Sequence, residues 1–146
     1  MKNKKYQIYV PDSDEEEFLD DELMVYNLKA VPPTQEVPFI KICRCAKDEN
    51  GNLIGGVLAC AVLWNVLHVE TVWTDENWRN CGVASRLLQE VEEEAVRQGC
   101  YRAVVDTYDF QAKPFYEKCG YRVCGMIEDM PKGHTYYYLT KCLENN

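Results

Sequence analysis

The chain has 146 residues, of which 47% are hydrophobic, and a formal net charge of −8 at pH 7. This length suits one domain with a substantial core and leaves little room for a second, so we expect a single domain over residues 1–146. No run approaches the roughly 18 consecutive apolar residues of a membrane-spanning helix, so no membrane contact is expected. The acidic charge argues against nucleic acid as the main partner. The apolar stretch after the basic N-terminus, residues 6–10, is too short for a signal peptide, so we expect a cytoplasmic protein.

The predicted elements follow from hydrophobic periodicity and from turn signals. Strands alternate with helices, which indicates a mixed α/β domain with hairpins at both ends and a parallel crossover in the middle. The predicted elements are a strand at 5–10, a helix at 15–30 that Pro32-Pro33 ends, strands at 39–47, 53–63 and 67–74, a long helix from residue 83, a strand at 102–107, a short helix around 115–119, and strands at 121–128 and 134–142.

Eight cysteines raise the question of a metal or disulfide framework. There is no C-x-x-C pair, and His68 and His134 lie far apart in sequence, so no metal site is expected. In a chain with no export signal, reduced thiols are expected. Cys81 differs from the others because it lies in a turn before a helix, where the helix terminus is electropositive. It should be the most readily alkylated thiol.

The turn that contains Cys81 has the features of an anion site. Residues 79–84 read Arg-Asn-Cys-Gly-Val-Ala and lie between an apolar strand and an amphipathic helix. The first amides of a helix have no intrahelical partner and carry partial positive charge, and Gly82 lets the backbone approach a phosphate closely. A surface turn before a helix is the alternative. No G-x-G-x-x-G or G-K-[ST] pattern accompanies the turn, which argues against a dinucleotide or a nucleoside triphosphate. The glutamates of this helix, Glu90 and Glu92 to Glu94, are expected on or beside its polar face.

Two separated motifs carry a family resemblance. Val72-Trp73-Thr74 with Arg79-x-x-Gly82-x-Ala84 precedes the long helix, and Ala112-x-x-Phe115-Tyr116-Glu117-Lys118-Cys119-Gly120-Tyr121 follows the next strand. Their order and spacing resemble the GNAT superfamily of acyl-CoA-dependent N-acetyltransferases, over roughly residues 53–143. The resemblance implies a mixed, mostly antiparallel sheet of six to seven strands with helices on both faces. It also implies that the strand before the turn splays from its neighbour and that the thioester lies in the gap.

The same resemblance implies acetyl-CoA as co-substrate. The strand before the turn would pair with the pantetheine arm, and the turn would hold the pyrophosphate through backbone amides. The expected coenzyme-binding residues are Val72, Trp73, Thr74, Arg79, Asn80, Cys81, Gly82, Val83, Ala84 and Ser85.

Two residues are the candidates for proton transfer. The resemblance assigns Tyr116 as the acid that protonates the departing thiolate, and the alternative is a core aromatic on a short helix. Glu70 is the candidate base, because in an extended strand it shares a face with Val72 and Thr74; the alternative is a surface carboxylate. Asp106, Tyr108 and His134 are weaker candidates. Asp109 is expected to cap the following helix.

These observations predict an N-acetyltransferase that moves an acetyl group from acetyl-CoA to a primary amine by direct attack in a ternary complex. A non-catalytic acyl-CoA-binding sensor is the alternative. The acceptor is a small-molecule or peptide amine that the sequence does not identify. A set of aromatic residues could line its pocket, although core packing explains most of them, and a tyrosine-rich last strand could pair across a homodimer. The aromatic set is Trp64, Trp73, Tyr108, Phe110, Tyr136, Tyr137 and Tyr138.

Overall fold

The computed structural model describes residues 4–143 and divides into two compact units, one up to Pro33 and one from Thr34. The first unit contains helix α1 (Ser13–Ala30), which begins in a capping box: the Asp12 side chain accepts from the Glu15 amide, and the Glu15 side chain accepts from the Asp12 amide. The predicted strand at 5–10 is wrong, because no strand forms there. Its alternating pattern suits a strand, but a strand also needs a pairing partner, which sequence periodicity does not supply. The single-domain organisation stays a prediction.

The described part of the second unit contains a seven-stranded sheet, two α-helices and a short 3-10 helix, Glu76–Trp78. The region predicted as one strand, 39–47, forms two short strands separated by Ile42 and Cys43. The elements are β1 (Phe39–Lys41), β2 (Arg44–Lys47), β3 (Leu53–Val62), β4 (Val66–Thr74), α2 (Val83–Arg97), β5 (Arg102–Tyr108), α3 (Lys113–Lys118), β6 (Arg122–Glu128) and β7 (Thr135–Cys142).

The strand order is β1-β3-β4-β5-β7-β6, and β2 also pairs with β3. Every pairing is antiparallel except that of β4 with β5, which α2 connects as a crossover. This arrangement confirms the predicted mixed, mostly antiparallel sheet and its parallel crossover.

Helices α2 and α3 pack into one core on one face of this sheet. Leu88 and Val91 of α2 are fully buried against Val57 of β3 and Leu67 of β4, and Tyr116 of α3 joins the same cluster. On the other face, side chains such as Leu58 of β3 are exposed. For α1, the expected place on a face of the sheet stays a prediction.

The parallel strands separate soon after they begin to pair. The β4–β5 register runs only through Val66, Leu67 and His68, opposite Arg102, Ala103 and Val104. Beyond His68, the backbone groups of β4 that point away from β3 have no strand partner in β5. A gap therefore opens between the two strands, with free hydrogen-bonding groups along its β4 edge.

Candidate active site

A cleft of about 1260 Å³ occupies the gap between β4 and β5. Its walls are the second half of β4, the turn and first residues of α2, the end of β5 and helix α3. All the predicted site residues line this cleft except Cys81, whose side chain is exposed. The predicted residues that line it are Glu70, Val72, Trp73, Thr74, Arg79, Asn80, Gly82, Val83, Ala84, Ser85 and Tyr116.

Backbone geometry explains the glycine in the turn. Gly82 is the N-cap of α2 with a φ of 81°, in the left-handed region that disfavours other residues. A Cβ placed there would have Ser85 Oγ as its nearest contact, at 3.9 Å, so the backbone conformation, and not crowding, favours glycine here. Asn80 adopts a φ of 60° two residues earlier, a conformation that Asn tolerates better than most residues. The left-handed backbone conformations of these two residues turn the chain into the helix.

The start of α2 is open for an anion. No side chain caps this helix N-terminus, so its first amides face the cleft without a side-chain acceptor. Arg79 Nε donates to the Thr74 carbonyl at 3.4 Å, which ties the turn to the end of β4. Arg79 and Lys118 both line the cleft and add positive charge. An acyl-CoA fits these residues, since a pyrophosphate suits the helix terminus and an amide-containing arm suits the free edge of β4.

Tyr116 is both a core aromatic and a cleft residue. Its side chain is only 5% exposed, and its ring contacts Phe115 and Tyr121 at centroid distances of 5.2 and 5.8 Å. Burial, with a further contribution from the Asp106 charge, raises the pKa of Tyr116 to about 12. The hydroxyl is therefore protonated at neutral pH and is able to donate a proton.

A buried ionic cluster holds the Tyr116 segment against α2. Glu92 is only 8% exposed, which corrects the expectation that it lies on or beside the polar face of its helix. The Tyr121 hydroxyl and Lys141 Nζ donate to the two Glu92 carboxylate oxygens, each at 2.7 Å. The Tyr121 amide in turn donates to the Tyr116 carbonyl at 3.0 Å. Helical periodicity did not reveal this cluster because its partners come from β7 and from the turn after α3.

Glu70 lies at a β-bulge. Thr71 pairs with Leu58, Val69 pairs with Ala59, and Glu70 between them has no partner in β3. The bulge shifts the alternation of side chains, so that Val69 before it and Val72 after it both pack against the core. The inference that Glu70 and Val72 share a face by simple alternation is therefore wrong. Glu70 is nevertheless exposed within the cleft.

Asp109 does not cap α3, which corrects a further expectation. Its carboxylate accepts from the Thr135 amide at 2.8 Å and contacts His134 Nδ1 at 2.8 Å. The Thr135 amide, and then His134, lower the pKa of Asp109. The N-cap of α3 is Ala112, which has no side-chain cap, and its amide donates instead to Thr107 Oγ1 at 3.3 Å. The partners of Asp109 lie at the start of β7 and just before it, far along the chain, so the local sequence indicated a cap instead.

Sequence reasoning missed several lining residues on β5 and α3. Asp106 and Tyr108 appeared only as weaker candidates, and both line the cleft. The sequence feature that could have identified both as site residues is their two-residue spacing at the end of a strand. Lys118 and Gln111 were not selected, because no local pattern indicates that α3 borders the same cavity as the turn before α2.

Three further structural properties concern the predictions about metal binding, the cysteines and membrane contact. Within residues 4–143, no group of three or more His, Cys, Asp or Glu side chains could hold a metal ion. All eight cysteines lie within that range and are free thiols. Over the same residues, no helix is long and apolar enough to cross a membrane.

The splayed sheet and the uncapped helix terminus at the gap define an acyltransferase fold, and the comparisons identify its family. The model of the Acetyltransferase (GNAT) family matches residues 6–121. The chain belongs to this family and is an acetyltransferase.

Three similar proteins extend this comparison. A blasticidin-S acetyltransferase of Streptomyces morookaense is 37% identical over 115 residues, which are 78% of this chain and 84% of that protein. The crystal structure of an acetyltransferase from Bacillus cereus matches with a TM-score of 0.88 and 33% identity, over 94% of this chain and 97% of that one. An aminoglycoside 6'-N-acetyltransferase complexed with coenzyme A shares the fold, with a TM-score of 0.65 and 16% identity over 90% and 85% of the two chains.

Proposed function

We propose that this enzyme transfers an acetyl group from acetyl-CoA to a primary amine of a small molecule, by direct attack in a ternary complex. The observation that carries the proposal is the cleft itself, which joins an uncapped helix terminus, a free strand edge, a buried tyrosine and two carboxylates. A single cavity of about 1260 Å³ is large enough for two substrates to meet.

The coenzyme end of the cleft is the turn and the edge of β4. The amides of Val83, Ala84 and Ser85 would bind the pyrophosphate, and the side chain of Arg79 would add charge. The backbone of Val72 to Thr74 would pair with the pantetheine arm. The complex of the aminoglycoside acetyltransferase with coenzyme A supports this choice of co-substrate.

Each of the two proton-transfer steps has a candidate residue. Bound acetyl-CoA supplies a thioester whose carbonyl carbon the neutral amine attacks. Glu70 accepts the proton that the amine loses, directly or through water, and the Tyr116 hydroxyl donates the proton that the departing sulfur takes up. Free backbone amides along the gap stabilise the negative charge that develops on the carbonyl oxygen.

Charge within the cleft supports an amine acceptor. Glu70 on β4 and Asp106 on β5 lie across the gap from each other, whereas Arg79 and Lys118 lie on the turn and on α3. A positively charged amine is attracted to the first pair, and a phosphate is attracted to the second. The relative that acetylates blasticidin S makes a small molecule the favoured acceptor. The sensor alternative finds no support in relatives that are named as acetyltransferases.

Initial-rate kinetics test this proposal. Acetyl-CoA and a panel of primary amines that includes blasticidin S should give acetylated amine and free thiol in equal amounts. Double-reciprocal lines should intersect when both substrates are varied, as a ternary complex requires. Parallel lines together with an isolable acetyl-enzyme would replace direct attack with a two-step mechanism. Binding of coenzyme A without turnover of any amine would refute the acetyl transfer proposed here.

A further inference from the structure

Four aromatic side chains form a continuous row on the sheet face opposite α2 and α3. We define this aromatic row as Phe110, Tyr108, Tyr136 and Tyr138. Successive ring centroids are 5.2, 4.8 and 5.0 Å apart, and the Phe110 and Tyr108 rings are nearly parallel, with an interplanar angle of 4°. The β5–β7 register places Tyr108 opposite Tyr136 and Asp106 opposite Tyr138. The row is therefore built by strand pairing.

The aromatic row borders the cleft, and two of its rings are exposed to solvent. Phe110 and Tyr108 both line the cavity. Phe110 is 59% exposed and Tyr138 is 44% exposed. A phenylalanine with this exposure contributes little to the core, although its free ring can stack with a flat group.

Neighbouring side chains hold Phe110 in place. The His134 and Phe110 rings lie nearly at right angles, with an interplanar angle of 84° and a centroid distance of 5.1 Å. His134 is itself held by Asp109, through the contact at 2.8 Å. Contacts with Tyr108 and His134 thus restrain the exposed phenylalanine, which lowers the entropic cost of using its remaining free surface for binding.

A carboxylate lies beside the row. Asp106 lines the cleft close to the Tyr136 hydroxyl. Burial, followed by the nearby Asp106 carboxylate, raises the pKa of Tyr136, so this hydroxyl stays protonated. Ring faces and a carboxylate both attract an organic ammonium group.

We propose that the aromatic row is an acceptor subsite that selects primary amines attached to a flat ring system. The ring of the acceptor packs against the exposed surface of the Phe110 ring, which Tyr108 backs by stacking, and its ammonium group lies toward Asp106 before the amine is deprotonated. This inference rests on the proposed acetyl transfer for the position of the acceptor end of the cleft. It adds a chemical class that the transfer reaction by itself does not require.

A matched pair of amines tests the subsite. 2-Phenylethylamine and 2-cyclohexylethylamine have the same chain and a six-membered ring, but only the first ring is flat and aromatic. Calorimetry with saturating coenzyme A measures the Kd of each amine, and a separate assay measures the turnover of each with acetyl-CoA. Stacking and cation–π contacts predict that the wild-type protein binds the phenyl compound about 3- to 10-fold more tightly.

Variants identify the ring that is responsible. Phe110→Leu keeps an apolar side chain and should bring the two Kd values within about twofold, whereas Phe110→Trp should keep the preference. Tyr101→Leu removes an exposed aromatic side chain that does not line the cleft and should change neither Kd. Equal Kd values in the wild type, or an unchanged ratio in Phe110→Leu, would overturn the subsite. A phenyl preference in Kd together with no turnover of these amines or of any amine in the panel would instead leave the subsite standing and refute the proposed transfer.

Discussion

Gly82 allows the proposed pyrophosphate site to be tested by adding a single charge. Its φ of 81° tolerates Asn and Asp better than most side chains, and a new Cβ would contact only Ser85 Oγ, at 3.9 Å. Gly82→Asp should therefore meet no steric clash, and Gly82→Asn shares whatever backbone strain it carries. Its carboxylate would lie at the first amides of α2, where the pyrophosphate is expected to bind. Gly82→Asn is the matched control, since it has the same shape and no charge.

The expected size of the effect follows from binding linkage. Coenzyme A at one hundred times its Kd should stabilise the wild-type fold by about 2.7 kcal/mol. At about 2.1 cal/mol/K per residue, a chain of 146 residues has an unfolding entropy near 0.31 kcal/mol/K, so the Tm should rise by about 9 °C. Two like charges about 4 Å apart near a protein surface repel by roughly 4 kcal/mol, which weakens binding about 1000-fold. The same coenzyme concentration should then raise the Tm of Gly82→Asp by less than about 1 °C.

Thermal unfolding with and without coenzyme A measures this difference. Gly82→Asn should keep most of the Tm rise, even if its own Tm is lower, because the helix amides stay available. A rise of several degrees in Gly82→Asp would refute the phosphate site at this turn. Loss of the rise in both variants would mean that the shape of the turn matters and that added charge does not.

Four further predictions concern individual side chains. Tyr116→Phe should lower turnover by about 10²- to 10⁴-fold while the Kd of coenzyme A changes little; wild-type turnover, with chemistry limiting, would leave Tyr116 a packing residue. Glu70→Gln should depress turnover most on the acidic limb of the pH profile, where the amine is hardest to deprotonate, and an unchanged profile would exclude Glu70 as the base. Cys81 should be alkylated first in the native protein and protected by coenzyme A, as mass spectrometry of labelled peptides can show; slower labelling than at the exposed Cys45 would contradict an electropositive turn. The lowered pKa of Asp109 means that its carboxylate stabilises the fold above its unfolded pKa of about 4 and that this contribution is lost as the pH falls through the folded pKa. Urea unfolding of Asp109→Asn should therefore show a weaker loss of stability below about pH 4 than the wild type.

Elements with a strong local signal could be predicted from the sequence. Helix α2 has apolar residues at helical spacing, and its buried face contains Leu88 and Val91 as that spacing requires. The turn before it contains a glycine because the backbone needs a positive φ, and this requirement is local too. The β2–β3 hairpin forms around Asp48 and Asn52, where turn-forming residues cluster.

Features that depend on distant partners could not be predicted. The segment at 5–10 has a strand-like pattern but forms no strand. Glu92 has a charged side chain on a largely polar helix, yet it is buried because Tyr121 and Lys141 reach it from elsewhere in the chain. Asp109 precedes a helix, as a cap would, but binds His134 and Thr135 instead. For Glu92 and Asp109 a local preference worth about 1 kcal/mol is overridden by tertiary pairing. The segment at 5–10 instead forms no strand pairing.

The sequence by itself determined the family, the order of the central elements and the turn at Gly82, since each depends on residues close together in the chain. Only the tertiary structure decided how the two halves of the cleft meet. The bulge at Glu70 changes which side chains of β4 face the core, and the separation of β4 from β5 after His68 opens the gap. The aromatic row at Phe110 likewise exists only because β5 and β7 pair in one register. Bulges, strand separation and register arise from contacts between segments far apart in the chain, and local periodicity contains no information about those contacts.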